Sequence, residues 1–464
     1  MEEKYSFLMK NSAILFIANF GSQILSFFLV PLYTYVLSKN EYGTSDIFTT
    51  TISIIVPIVT LSISEATLRF AMDKKSNNKT VLSISLGISI IGVFASLIFM
   101  PLIGSFTNIG EYSFLLWLAI LFNSLYLVTA NYCRGNSSIK KYAIGGVLST
   151  LSSLLCCILL LVVFKIGIKG YLISFVVSYA IPTFYYVVSN KMWRQLDKID
   201  LKLVKEMISY SIPMIPGAIA WLMMTSFDKY VLVYSCGAES NGIYAIAQKV
   251  PALINVINSI FMQSWQVSAI AEMDSEDRDS FYSNVFNTLA AILLIITSCV
   301  IAIIKPFYGV WLEESYFEAW KYTPILMVAN IFSCFSNFVG ANYFVTKKTT
   351  GNMKTLLFGA LVNVVLSIIF VKKYGIYAAA ITTLVGFMFT WIYRMFDTRN
   401  TIKIKIDAKK IIFMLLIICI QYLSLYNNQY IYIQIVCMLI VMFVYKNEIA
   451  SMFMMVKKLC QRKK

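Results

Sequence analysis

The sequence predicts an all-α polytopic membrane protein of about 14 transmembrane helices. Of its 464 residues 59% are hydrophobic and 13% charged, whereas soluble domains average about 25% charged. Mean hydropathy is +0.73. Apolar runs of about 20 residues recur from end to end, each long enough to cross a bilayer. Lys and Arg sort by side between these runs: thirty of the 39 fall on one side, seven on the other, and Lys229 and Lys249 lie inside runs. An odd number of spans would spoil that sorting. The richer side is cytoplasmic, so both termini are expected there.

In chain order the spans are 12–37, 45–68, 81–103, 113–133, 142–164, 170–190, 209–235, 242–268, 284–304, 322–345, 355–371, 374–394, 410–426 and 430–446. The first run is too long for a signal peptide, and MEEKYSFLMKNS offers no small-residue cleavage site, so it is expected to remain as the first helix. Arg69 and Arg134 close the second and fourth spans on the cytoplasmic side. Lys191–Lys205 is the longest basic linker. The acidic run Glu272 to Asp279 reads as a solvated loop, and the basic tail Lys457–Lys464 as a segment on anionic headgroups.

The chain repeats itself. Tyr42-Gly43 opens the second span after Ser38-Lys39-Asn40-Glu41, and Asn241-Gly242 opens the eighth after Ala238-Glu239-Ser240. Gly167-Ile168-Lys169-Gly170-Tyr171 is echoed by Gly375-Ile376-Tyr377. Copies six helices apart enter the membrane from the same side, which predicts two parallel six-helix lobes. The expected division is 1–190 for the N-lobe, 191–208 for a cytoplasmic linker, 209–394 for the C-lobe, and 395–464 for two appended helices and the tail.

Three stretches, SFFLVPLYTYVLSKNEYGTSDIFTT, SISEATLRFAMDKK and IPMIPGAIAWLMMTSFDKYVLVYSCGAESNGIYAIAQKV, resemble the polysaccharide-transporter (Wzx-like) oligosaccharide flippases. That family belongs to the MOP superfamily, which also holds lipid II flippases and the MATE drug exporters. The resemblance covers about the first 400 residues and is strongest in the helix pairs that open the lobes. It implies a central cavity between two lobes that opens alternately to each side. It also implies transfer of an undecaprenyl-diphosphate-linked oligosaccharide across the bacterial cytoplasmic membrane, for O-antigen, capsule or another surface glycan.

Charges inside spans are the best handle on a site, because a charge in hydrocarbon is costly and seeks a partner or a watery cavity. Lys249 lies roughly 10 Å below the outer end of the eighth span, and Asp228 and Lys229 lie at comparable depth in the seventh. One reading gives the substrate diphosphate to Lys249 and Lys229, with Asp228 holding Lys249 when the cavity is empty. Lysine suits this as a compact charge without fixed fork geometry. The other reading is a structural ion pair, with Lys229 snorkelling outward. Glu65 and Arg69 share a helix face at i,i+4, and with Arg134 and Asp46 they are candidates for gating or coupling, or ordinary helix-end charges. Asn19, Gln23, Gln248 and Asn255 either line a sugar path or join helices by hydrogen bonds. Tyr244 and Trp265 either stack on sugars or sit in the interfacial belt.

A cation-coupled exporter of cationic drugs is the alternative in the same fold. It needs buried carboxylates, and Asp228, Glu65 and Asp46 are those available. A membrane enzyme is disfavoured by short loops and the absence of His. Scattered cysteines without a CxxC leave no zinc motif. No cofactor is expected, the coupling ion stays open between H+, Na+ and none, and the basic charge fits membrane topology rather than nucleic acid. Membrane lipids are partners by necessity, and a polysaccharide polymerase is a candidate one.

Overall fold

The computed structural model describes residues 27–73, 76–101, 109–136, 138–272, 275–345, 349–427 and 430–446. Every regular element among them is helical. Nine of the described helices are long and apolar enough to cross a membrane. The fold is therefore that of an all-α multi-pass membrane protein. Backbone packing divides it into two compact units, 1–246 with 367–376, and 247–366 with 377–464.

The first unit contains α1 (Val30–Val36), α2 (Lys39–Val59), α3 (Ile63–Ala71), α4 (Asn78–Ser96), α5 (Ser113–Gly135), α6 (Ile139–Cys157), α7 (Ile168–Ser189), α8 (Leu201–Ser211), α9 (Ile215–Cys236) and most of α10 (Ala238–Ala247). The expected span 45–68 is not one helix. It ends two residues after Pro57, and Leu61 and Ser62 take left-handed φ of 53° and 50° before α3 begins. Proline removes a helical donor and crowds the preceding turn, which weakens the helix there. Ile47, Phe48, Ile52 and Val56 of α2 bury against Leu116 and Ile120 of α5 and Leu172 and Val176 of α7. Residues 209–246, which the repeat assigns to the second lobe, pack within this unit. Helix α9 lies along α2, where Thr51 and Tyr230 hydroxyls meet at 2.9 Å.

The second unit contains α11 (Lys249–Ala271), α12 (Arg278–Trp311), α13 (Thr323–Val345), most of α14 (Thr349–Thr398), α15 (Ala408–Ser424) and α16 (Tyr430–Val444). Helix α14 is two helices joined at Gly375, whose φ of 56° favours glycine. Helix α12 has 34 residues, about 51 Å at 1.5 Å per residue. It outreaches both the expected span 284–304 and a hydrocarbon layer of about 30 Å.

The last two helices are docked by a buried polar network. Ser298 of α12 donates to Gln421 Oε1 at 2.8 Å, and Gln421 Nε2 donates to Gln434 Oε1 at 2.9 Å. Gln434 Nε2 returns bonds to the Gln421 carbonyl and the Ser424 hydroxyl. Interhelical bonds of this kind contribute about 0.6 kcal/mol each in a membrane. Gln421→Leu removes the side-chain hub and leaves Gln434 short of a donor, so the purified protein should lose about 1–2 kcal/mol of stability. Unfolding followed by tryptophan fluorescence in detergent checks this, and an unchanged midpoint would remove the network from the docking of α15 and α16.

Candidate functional site

The two glycine-opened helices singled out by the repeat meet in the first unit. Helix α2 starts from a capping box: the Ser38 hydroxyl accepts from Glu41 N, and Glu41 Oε2 accepts from Ser38 N at 3.0 Å. That fixes Gly43 in the second turn. Helix α10 starts after Gly237. A Cβ on Gly43 would stand 1.8 Å from the Ala238 carbonyl oxygen, and one on Gly242 would stand 2.1 Å from that of Lys39. Backbone therefore rests on backbone, which only glycine allows on both sides.

Around this crossing lies a chain of polar side chains. At the rim Lys39 Nζ meets Glu239 Oε1 at 3.0 Å. Asn241 Nδ2 donates to the Gly43 carbonyl at 2.9 Å and to Asp46 Oδ2 at 3.2 Å. One turn further along α2, Asp46 receives Lys229 Nζ on both carboxylate oxygens, at 3.1 and 3.0 Å. The two side chains are only 11% and 13% exposed. Asp228, fully buried, accepts the Tyr244 hydroxyl and the backbone N–H of Lys229. Asn241 Oδ1 is buried without a hydrogen-bond partner.

Besides the rim pair of Lys39 and Glu239, the carboxylate-held lysine of this unit is Lys229, deep in α9, and its holder is Asp46. The outward snorkelling of Lys229 does not occur, because the α9 face carrying it is turned onto α2. Lys249 is partly buried and opens α11 in the second unit, and Gln248 just before it is also partly buried. Asn255 donates to Asn330 Oδ1 at 2.9 Å. Glu65 and Arg69 are both exposed on α3 with no ion pair between them among the described residues, and Arg134 is exposed at the end of α5. Asn19 and Gln23 lie outside the described residues.

Tyr244 is buried as the donor to Asp228, and Trp265 is stacked at 4.3 Å on Phe338 in the core. Neither presents a face to a sugar here. Arg394, the last residue of the expected span 374–394, is buried and donates to the Ser336 carbonyl, Asn352 Oδ1 and Thr355 Oγ1. Sequence reasoning missed Asn241 as a second ligand of Asp46. The signal was present in the paired Tyr42-Gly43 and Asn241-Gly242, which place Asn241 next to a glycine that lets backbones touch.

Breaking one side of a buried ion pair leaves an uncompensated charge and costs about 3–5 kcal/mol. Asp46→Asn and Lys229→Met should each destabilise the protein by an amount in that range. The double variant should recover most of the loss, as a double-mutant cycle on unfolding midpoints would read. Additive losses would mean the two side chains do not interact. Gly43→Ala should push α2 and α10 apart, so that a Lys39→Cys/Ala238→Cys pair crosslinks more slowly in its presence. An unchanged rate would refute the close approach.

Among solved structures, the lipid II flippase MurJ in an inward closed conformation matches with TM-score 0.72 and 17% identity, over 94% of this chain and 100% of that one. An inward-facing multidrug resistance MATE transporter of the MOP superfamily matches with TM-score 0.70 and 13% identity, over 85% and 96%. A MATE transporter of Vibrio cholerae matches with TM-score 0.59 and 13% identity, over 86% and 99%. At these identities the likeness is one of fold, and the fold is the MOP one. An uncharacterized membrane protein of Methanocaldococcus jannaschii is 24% identical over 252 residues, covering 50% of this chain and 47% of that relative. The chain thus spans about half the length of the curated relative it matches. Residues 8–266 match the polysaccharide biosynthesis protein family, more than half of the 464 residues, and the chain belongs to that family.

Proposed function

We propose that this protein is a flippase, not an enzyme, that moves undecaprenyl-diphosphate-linked oligosaccharide repeat units across the bacterial cytoplasmic membrane by alternating access. Both termini lie in the cytoplasm, as the Lys and Arg distribution favours. The product serves surface polysaccharide assembly, O-antigen or capsule, beside a polymerase. Family membership and the fold shared with a lipid II flippase support a lipid-linked substrate.

The observation that carries the reading is that Lys229, inside a span, rests on one carboxylate, that of Asp46. A lysine held by a single carboxylate inside a membrane protein can pass to a diphosphate, which offers more negative charge and several acceptor oxygens. Lys249 supplies the second cation. Asp46 then holds Lys229 between transport events, while Gln248, Asn255, Asn19 and Gln23 contribute hydrogen bonds to sugar hydroxyls. Coupling to H+, to Na+ or to neither stays open, with Asp228, Glu65 and Asp46 as the candidate carboxylates and Arg69 and Arg134 at the cytoplasmic entrance.

A MATE-type drug exporter is the second reading, because the fold is shared with those transporters as well. It is weakened by its carboxylates. Asp46 is neutralised by Lys229, Asp228 is engaged by Tyr244, and Glu65 is exposed.

Deleting the gene in its host and extracting undecaprenyl-diphosphate-linked sugars separates the two. Complete repeat units should accumulate on the cytoplasmic face, and wild type should clear them while Lys229→Ala and Lys249→Ala do not. Increased sensitivity to cationic dyes without such accumulation would establish the exporter instead.

A further inference from the structure

The linker between α7 and α8 has two faces that ordinary loop chemistry does not explain. Its inner face is pinned to the ends of spans. Met192 is buried among Tyr132, Cys133 and Tyr186. Tyr132 donates to Gln195 Oε1 at 2.7 Å, and Gln195 Nε2 donates to the Asn190 carbonyl at 2.7 Å. Asp197 N donates to the Ser83 hydroxyl at 2.8 Å, and Asn77 Nδ2 donates to Asp197 Oδ2 at 3.0 Å. Helix α8 continues the attachment by burying Met207 against Ile63 and Ala66 of α3.

The outer face is apolar where water would be expected. Trp193, Leu196, Ile199 and Leu201 are 51%, 56%, 60% and 79% exposed. Leaving such side chains in water forfeits the free energy of burying them. Lys191, Arg194, Lys198, Lys202 and Lys205 alternate with them, all exposed. Of the three acidic residues nearby, Asp200 caps α8 through Lys202 N and Asp197 accepts from Lys198 N, so two carboxylates are tied to local backbone. All three, Glu206 included, are exposed, and the five cations outnumber them.

We propose that residues 191–205 form an interfacial strap that lies on acidic phospholipid headgroups. The pinning contacts hold it at the ends of α4, α5 and α7, which are membrane spans, so its outer face meets the edge of the bilayer. There the four apolar side chains enter the headgroup–acyl boundary. Each cation adds electrostatic attraction to an anionic surface. This assignment is independent of what the protein transports.

The test uses the full-length protein in vesicles of phosphatidylcholine, with and without phosphatidylglycerol. Subtracting the emission of Trp193→Phe from that of wild type isolates Trp193. In anionic vesicles this component should be blue-shifted, quenched by lipids brominated near the headgroup, and shielded from aqueous iodide. Zwitterionic vesicles should lose much of that quenching, as should a variant with all five cations replaced by Gln. These exposed substitutions should leave the unfolding midpoint unchanged. Equal bromolipid quenching in both vesicle types would overturn the requirement for acidic lipid. A Trp193 that stays open to iodide in anionic vesicles would overturn the strap altogether and assign this surface to a soluble partner.

Discussion

The first unit depends on where one ammonium group can rest. Lys229 sits in the middle of an apolar helix, and an unpaired cation there would cost several kcal/mol. Its only compensation described in the unit is the Asp46 carboxylate, which it meets on both oxygens. Holding that contact requires α9 to lie along α2, and Asn241 on the same carboxylate requires α10 to approach α2 as well. The approach is possible because Gly43 and Gly242 both lack a Cβ. Charge burial and glycine placement are therefore one constraint seen from two sides.

The all-helical, multi-span architecture was legible because hydropathy and charge asymmetry act over whole helices and average out local exceptions. The crossing of α2 and α10 was not read from the repeat, which marks the two glycine-opened helices as counterparts in separate lobes. What the sequence could not say is the rotational phase of each helix about its own axis. Asp228 and Lys229 are adjacent and point different ways, one to Tyr244 and the other to Asp46. Charge counting alone does not separate them. The same blindness hides the setting of Arg394, because a terminal arginine on a span looks identical whether it faces water or three buried acceptors. The break after Pro57 was missed for a different reason: apolar composition runs straight across it, and only the backbone registers the turn at Leu61 and Ser62.

Buried polar groups in this protein fall into two kinds, and the difference bears on function. In the second unit Gln421, Gln434, Ser298 and Ser424 satisfy one another through neutral bonds that hold helices together. Arg394 is likewise surrounded by fixed neutral acceptors from α13 and α14. A guanidinium held through three of its donors in a fork geometry has little to gain from an incoming anion, because every new contact displaces an existing one.

Lys229 is arranged in the opposite way. Its ammonium is a flexible point charge on one carboxylate, and that carboxylate keeps a bond from Asn241 if the lysine departs. Asp46 left behind is therefore not wholly unsatisfied. An entering dianion would meet a cation whose release is partly compensated in advance, in surroundings where the protein's own backbone contact is the closest it can be. The Asn241 amide, shared between the Gly43 carbonyl and Asp46, thus ties the carboxylate to the helix crossing itself, so a change at Asp46 bears directly on the packing of α10 against α2.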